Sequence, residues 1–204
     1  MKTLVISPHI DDEVLGCGGA ILNRSRNGHQ VFVYYLGVED FHEISREGRL
    51  GEASAVAQYL GFDYAIGANE VNSYRKQDLI NELTDVINVQ KPDEVFIPLS
   101  SYNQDHKEVH DAALVALRPH DRNHFVRDVK VYEVDQYQLW APSLFQPNYF
   151  ERIDIRRKVE AYLLHASQVR PMRPKELLVN YAYIRGLSCG EDFAEGFVIL
   201  RLVR

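Results

Sequence analysis

Short β-branched runs alternate with longer amphipathic stretches along nearly the whole chain, and that alternation is the strongest constraint on its fold. Leu4 to Ser7, Val31 to Leu36, Tyr64 to Ile66, Glu94 to Pro98, Val129 to Val134 and Gly196 to Leu202 read as strands. Helix patterns lie near residues 13–27, 46–60, 76–90, 106–117 and 152–166. A strand–helix–strand repeat covers a largely parallel sheet with helices, so an α/β fold is expected. Gly61, directly after Tyr59 and Leu60, reads as a helix stop, and Lys91-Pro92-Asp93 as a turn before the next strand. No fixed-period repeat or Gly/Ser linker interrupts this order, so residues 1–204 are expected to form a single domain around one core.

The formal net charge of −6 argues against nucleic acid as a partner, because phosphate binding needs Lys and Arg in excess. Cys17 and Cys189 have neither CxxC spacing nor a nucleophile setting, so reduced thiols are expected. Met1-Lys2 leads straight into a short strand, and no run of about 18 apolar residues follows anywhere. A cytoplasmic protein without a transmembrane segment is expected, its oligomeric state open and a homo-oligomer included.

In open α/β sheets, ligands bind outside the carboxyl ends of the strands. Two clusters follow predicted strands in that way. The first is Ser7-Pro8-His9-Ile10-Asp11-Asp12-Glu13, with Gly16, Gly18 and Gly19 close behind; the second is Asn103-Gln104-Asp105-His106, with His110 one helical turn on. A strand-end turn can aim His9 and Asp12 at one point while Asp11 faces the space beside it. Either His106 or His110 can supply a second imidazole, since residues four apart share a helix face. Two imidazoles and a carboxylate are a recurrent catalytic zinc set that leaves room for water and substrate, and a further carboxylate beside the metal can act as base. The glycines are out of order for a dinucleotide fingerprint and read as close backbone packing near the turn.

At these residues the sequence resembles the LmbE-like (PIG-L) N-deacetylase family. Its first motif, P-H-x-D-D-E, is matched by Pro8 to Glu13, and its second, H-P-D-H, by Asn103 to His106, where the final histidine matches and the first does not. Arg49 and Glu52 resemble the family's R-x-x-E helix, Lys158, Ala161, Ser167 and Gln168 its late helix, and Arg185-Gly186, Ala194-Glu195 and Phe197 its C-terminal stretch. The resemblance implies a Rossmann-like three-layer α/β/α fold with a mostly parallel sheet. It implies one zinc ion held by His9, Asp12 and His106, with Asp11 as general base. The implied substrate is an N-acetylglucosamine-type sugar or sugar conjugate. Arg49 is then a candidate to grip an anionic part of the substrate, although pairing with Glu52 at i+3 is its ordinary explanation. Asn103 has no proton to give at neutral pH, so its expected catalytic part is a neutral hydrogen bond to the oxyanion.

Two other readings compete. One is a manganese or magnesium phosphoesterase, which would need more carboxylate ligands; the other is a non-catalytic sugar-binding relative, which would leave Asp11 without a task. Tyr137, Trp140, Tyr149 and Phe150 among Pro119, Pro142 and Pro147 are candidates for a sugar-stacking rim, with core packing as the commoner use of aromatics. His120, His124 and His165 are expected on the surface or behind the site.

Overall fold

The computed structural model describes residues 1–40, 45–134 and 143–204. Strand β1 (Lys2–Ser7) lies inside a seven-stranded sheet, paired in parallel with β2 (Gln30–Gly37) on one side. β3 (Asp63–Asn69) extends the sheet beyond β2, again in parallel. On the other side of β1 come β4 (Glu94–Pro98) and β5 (Asp128–Tyr132), both parallel. β6 (Tyr149–Arg152) and β7 (Ala194–Leu202) complete that edge, β7 running antiparallel to both β5 and β6, in the order β3-β2-β1-β4-β5-β7-β6.

Helices cover both faces. Side chains of α1 (Asp12–Arg26), α2 (Arg46–Leu60), α5 (Ile155–Leu164) and α6 (Lys175–Leu187) join one apolar cluster, and those of α3 (Lys76–Gln90) and α4 (Gln104–Ala116) the other. The strands alternate between them: Val5 and Phe96 pack with α1 and α2, whereas Leu4, Ile6, Val95 and Ile97 pack with α3 and α4. Burial on both faces explains why these strands are continuous apolar runs. The three-layer α/β/α arrangement is the one read from the sequence. β6 and α6 have no counterpart in that reading: β6 is a four-residue edge strand, and apolar residues at most positions from Leu177 to Ile184 blur the helical period of α6.

From β1 the chain passes outward through β2 to β3, then returns to the other side of β1 as β4. The loops leaving β1 and β4 therefore diverge, opening a crevice at the switch point where α/β proteins bind ligands. Both candidate clusters leave the sheet there. The Gly16 to Gly19 run lets α1 lie close behind them. A Cβ at Gly16 would fall 2.0 Å from the Tyr132 ring, and one at Gly19 2.4 Å from Ile153.

At the opposite end of the strands a buried charge network ties β1, β4, β5, β6 and α1 together. Glu94 accepts from Arg24 Nη2 (2.8 Å), Lys130 Nζ (2.7 Å) and Thr3 Oγ1 (3.0 Å), and Arg24 also pairs with Glu151. Burial alone would raise the Glu94 carboxyl; Arg24 and Lys130 outweigh it and hold it at about 2, against an ordinary 4.5. That difference corresponds to about 3 kcal/mol of stability, present above pH 4.5 and lost as the pH falls toward 2. Glu94→Gln is accordingly expected to lower Tm at about pH 7, with the gap to wild type closing as acid neutralises Glu94. Thermal melts across that range check it; a gap independent of pH refutes the assignment.

Candidate metal centre

The turn after β1 is built to present carboxylates. Its carbonyls are tied down in succession: Tyr74 Oη donates to Pro8 O (2.8 Å), Ser7 Oγ to His9 O (2.8 Å), and Arg49 to Ile10 O. Asp11 then takes φ 137°, a positive value that costs a non-glycine residue on the order of 1–3 kcal/mol. Its C=O accepts the first bonds of α1, from Val14 N (3.1 Å) and Leu15 N (3.0 Å), and its own N–H donates to Glu13 Oε2 (2.9 Å). The result is a sharp reversal that puts Asp11 and Asp12 on different headings.

Asp12 Oδ2 is the focus. It lies 3.3 Å from His9 Nδ1 and 3.1 Å from His106 Nε2, and it accepts the His9 backbone N–H at 3.0 Å. One ligand atom each from His9, Asp12 and His106 falls within 4.8 Å of the others, and all three residues are buried. Two nitrogens and one carboxylate oxygen converging on one point fit a divalent cation of borderline character.

His9 is oriented from behind. Its Nε2 donates to Asp105 Oδ2 (3.0 Å), which leaves Nδ1 facing Asp12, the carboxylate–histidine arrangement that supports a metal ligand. Asp105 also accepts the Asn72 N–H (2.7 Å). Burial opposes a charged His9, but the bonds to Asp105 and Asp12 prevail and raise it to about 10. Asp12 is held well below the usual carboxylate range: burial would raise it, and His106 and His9 lower it. The pocket thus holds negative charge that calls for a cation, whether proton or metal.

Asn103 begins α4, and its Oδ1 accepts from Asp105 N (2.9 Å) and His106 N (3.2 Å). As an N-cap it fixes the turn that carries both residues. His110 stays out of the cluster, its Nδ1 bonded to Pro98 O (2.8 Å). Arg49 is fully buried, close to Glu39 (3.0 Å), Glu52 (2.5 Å) and Ser167 (3.1 Å), besides Ile10 O. Its guanidinium braces the turn from within, and the i, i+3 pair with Glu52 is present. His165 Nε2 meets Glu13 Oε1 at 2.9 Å, directly behind the turn. His120 and His124 bond Arg122 N and Pro92 O, away from the cluster.

Asp11 itself pairs with Arg173, a residue that stands out in no motif of the sequence. Burial pushes the Asp11 carboxyl up, Arg173 works against that, and the net direction is upward. Arg173 lies in an irregular stretch between α5 and α6 where no local pattern points to the site. Of the aromatic rim, Tyr137, Trp140 and Pro142 lie outside the described residues; Tyr149 packs against Phe197, 6.4 Å between ring centres.

Over nearly its full length the chain is similar to the conserved protein TT1542 of Thermus thermophilus (24% identity, 99% of this chain and 95% of that one, TM-score 0.85). It is similar to GalB, the 4-carboxy-2-hydroxymuconate hydratase of Pseudomonas putida KT2440 (22%, 100% and 99%, TM-score 0.83). The N,N′-diacetylchitobiose deacetylase of Pyrococcus horikoshii matches as well (23%, 98% and 83%, TM-score 0.81). These likenesses establish a shared fold, and the fold carries more than one reaction. Residues 4–117, more than half of the chain and both clusters, match the family model for PIG-L, the GlcNAc-PI de-N-acetylase. The chain belongs to the PIG-L, or LmbE-like, deacetylase family.

Proposed function

We propose that the protein is a zinc-dependent hydrolase that removes the N-acetyl group from an N-acetylglucosamine-type sugar or sugar conjugate. The observation that carries this reading is the buried convergence of His9, Asp12 and His106 at the switch point, with the carboxylate of Asp11 alongside. The two unpaired cysteines suit a cytoplasmic setting.

A divalent ion held by His9, Asp12 and His106 would polarise the acetyl carbonyl and acidify water. Asp11 is the neighbouring carboxylate in a position to take the proton from the attacking water, and burial outweighs Arg173 to raise its carboxyl. Once protonated, it can pass that proton to the amine nitrogen as the C–N bond breaks, so acetate and a free amine leave. Asn103 supports the reaction through α4, and its amide NH₂ is the group suited to a neutral hydrogen bond with the oxyanion. Arg49 acts as an internal brace rather than a grip on substrate, because its guanidinium is engaged inside the protein.

The phosphoesterase reading lacks support for a second ion. The carboxylates it would recruit are engaged: Glu13 with His165, and Asp105 with His9 and Asn72 N–H. A screen of N-acetylated sugars, sugar nucleotides and amino-sugar conjugates for release of acetate and primary amine tests the function. Binding without release favours a sugar-binding relative.

Single substitutions separate the roles. His9→Ala, Asp12→Ala and His106→Ala should each lose the metal, whereas His110→Ala should retain it; elemental analysis decides, and full activity after exhaustive chelation sinks the metal assignment. Asp11→Asn should keep the metal yet reduce turnover by roughly 100-fold; loss of metal there, with retention in Asp12→Asn, reverses the two roles. Asn103→Ala should reduce kcat by about 10²–10³-fold if its amide serves the oxyanion. Asn103→Ser, which keeps a helix cap, should retain the metal without restoring that rate; full recovery in the serine variant would leave capping as the whole role of Asn103.

A further inference from the structure

The stretch between α5 and α6 reaches Asp11 from two sides. His165, fully buried at the end of α5, bonds Glu13 Oε1 (2.9 Å), and the other oxygen of Glu13 accepts the Asp11 backbone N–H (2.9 Å). Arg173, also buried, pairs with Asp11 Oδ2. The stretch is itself fixed. The single Tyr162 Oη proton is shared between Gln168 O (2.9 Å) and Arg173 O (2.6 Å), Arg173 N donates to Arg170 O (2.8 Å), and Ser167 N donates to Glu52 Oε1 (2.7 Å).

We propose that residues 165–173 form a positioning clamp for Asp11, with His165 holding its backbone through Glu13 and Arg173 holding its carboxylate. The inference rests on the reading of Asp11 as the base. A positive φ at a non-glycine residue persists only where the surroundings impose it, and Glu13 accepts the N–H of the strained peptide while Arg49 donates to its C=O. A base must also be held within a fraction of an ångström of its productive position. Arg173 engages Oδ2, so on this reading Oδ1 is the oxygen that takes the proton. Arg173 is on this account a positioning residue, whose effect on the reaction passes through Asp11.

Arg173→Ala is expected to keep the metal and the KM for the N-acetylated sugar turned over by wild type, and to lower kcat roughly 10- to 100-fold. Guanidinium ion added to the assay should restore part of that loss, and Arg173→Lys should fall between. In an Asp11→Asn background, Arg173→Ala should cost no further rate. A further loss as large as in wild type, or a raised KM with kcat unchanged, would show Arg173 acting on the substrate and overturn the clamp. A second arm needs no substrate. The Tm loss from Arg173→Ala should be smaller by about 2–4 °C in Asp11→Asn than in wild type, as for a coupled buried pair. Additive losses overturn the clamp. A wild type that releases no acetate from any amino sugar refutes the deacetylase reading, while the melting cycle still decides the clamp.

Discussion

Four carboxylates are buried where the loops from β1 and β4 part: Asp11, Asp12, Glu13 and Asp105, none more than 3% exposed. An isolated carboxylate out of water costs several kcal/mol, so each must find a cation or an N–H. Asp12 finds His9 and His106, Asp105 finds His9 and Asn72 N–H, Glu13 finds His165 and Asp11 N–H, and Asp11 finds Arg173. These partners come from α4, from the segment after β3 and from the stretch after α5. Charge compensation therefore draws distant parts of the chain onto one turn. It also leaves the cluster suited to a divalent cation, which would take the place of a proton held between His9 and Asp12.

The same rule shapes α1, which follows the turn. Its backbone leaves helical geometry at Cys17 (φ −144°, ψ 24°), exposing helix donors and acceptors inside the protein. Glu195 accepts from Gly19 N and Ala20 N, both at 2.8 Å, and Lys158 donates to Leu15 O at 2.8 Å while pairing with Glu195. One ion pair thus caps both sides of the break. The first turn of α1 can then follow the demands of Asp11 and Asp12, with Gly16 against the Tyr132 ring of β5, while beyond the break Gly19 lies close against Ile153.

The parts of this arrangement legible in the sequence are those written locally. Strand periods, the Gly61 stop and the two motifs after β1 and β4 place the switch point and the His–Asp–His cluster, because each depends on neighbours in the chain. Lys158, Glu195, Arg49 and Ser167 stand out by family resemblance alone; their tasks emerge only once α1, α2 and α5 are packed together. Arg173 carries no signal: its partner Asp11 is 162 positions away, and a lone arginine between prolines looks like any surface residue. Asp105 is visible as a member of its motif, but the bond to His9 spans 96 positions and follows from how β1 and β4 lie side by side.

Asn103 shows how these constraints interact. The family's second motif opens with histidine, and this chain has asparagine there, one of the stronger N-cap residues. Its Oδ1 secures the N–H groups of Asp105 and His106 together. Asp105 orients His9, so a single cap steadies both imidazoles of the cluster. What the chain forgoes is a side chain able to carry a proton near neutrality. With no ionisable group at that position, proton transfer in the proposed reaction falls to Asp11, and tolerance for error in its placement shrinks. A strained Asp11 gripped at its backbone through Glu13 and at its carboxylate by Arg173 is the geometry that such a dependence demands.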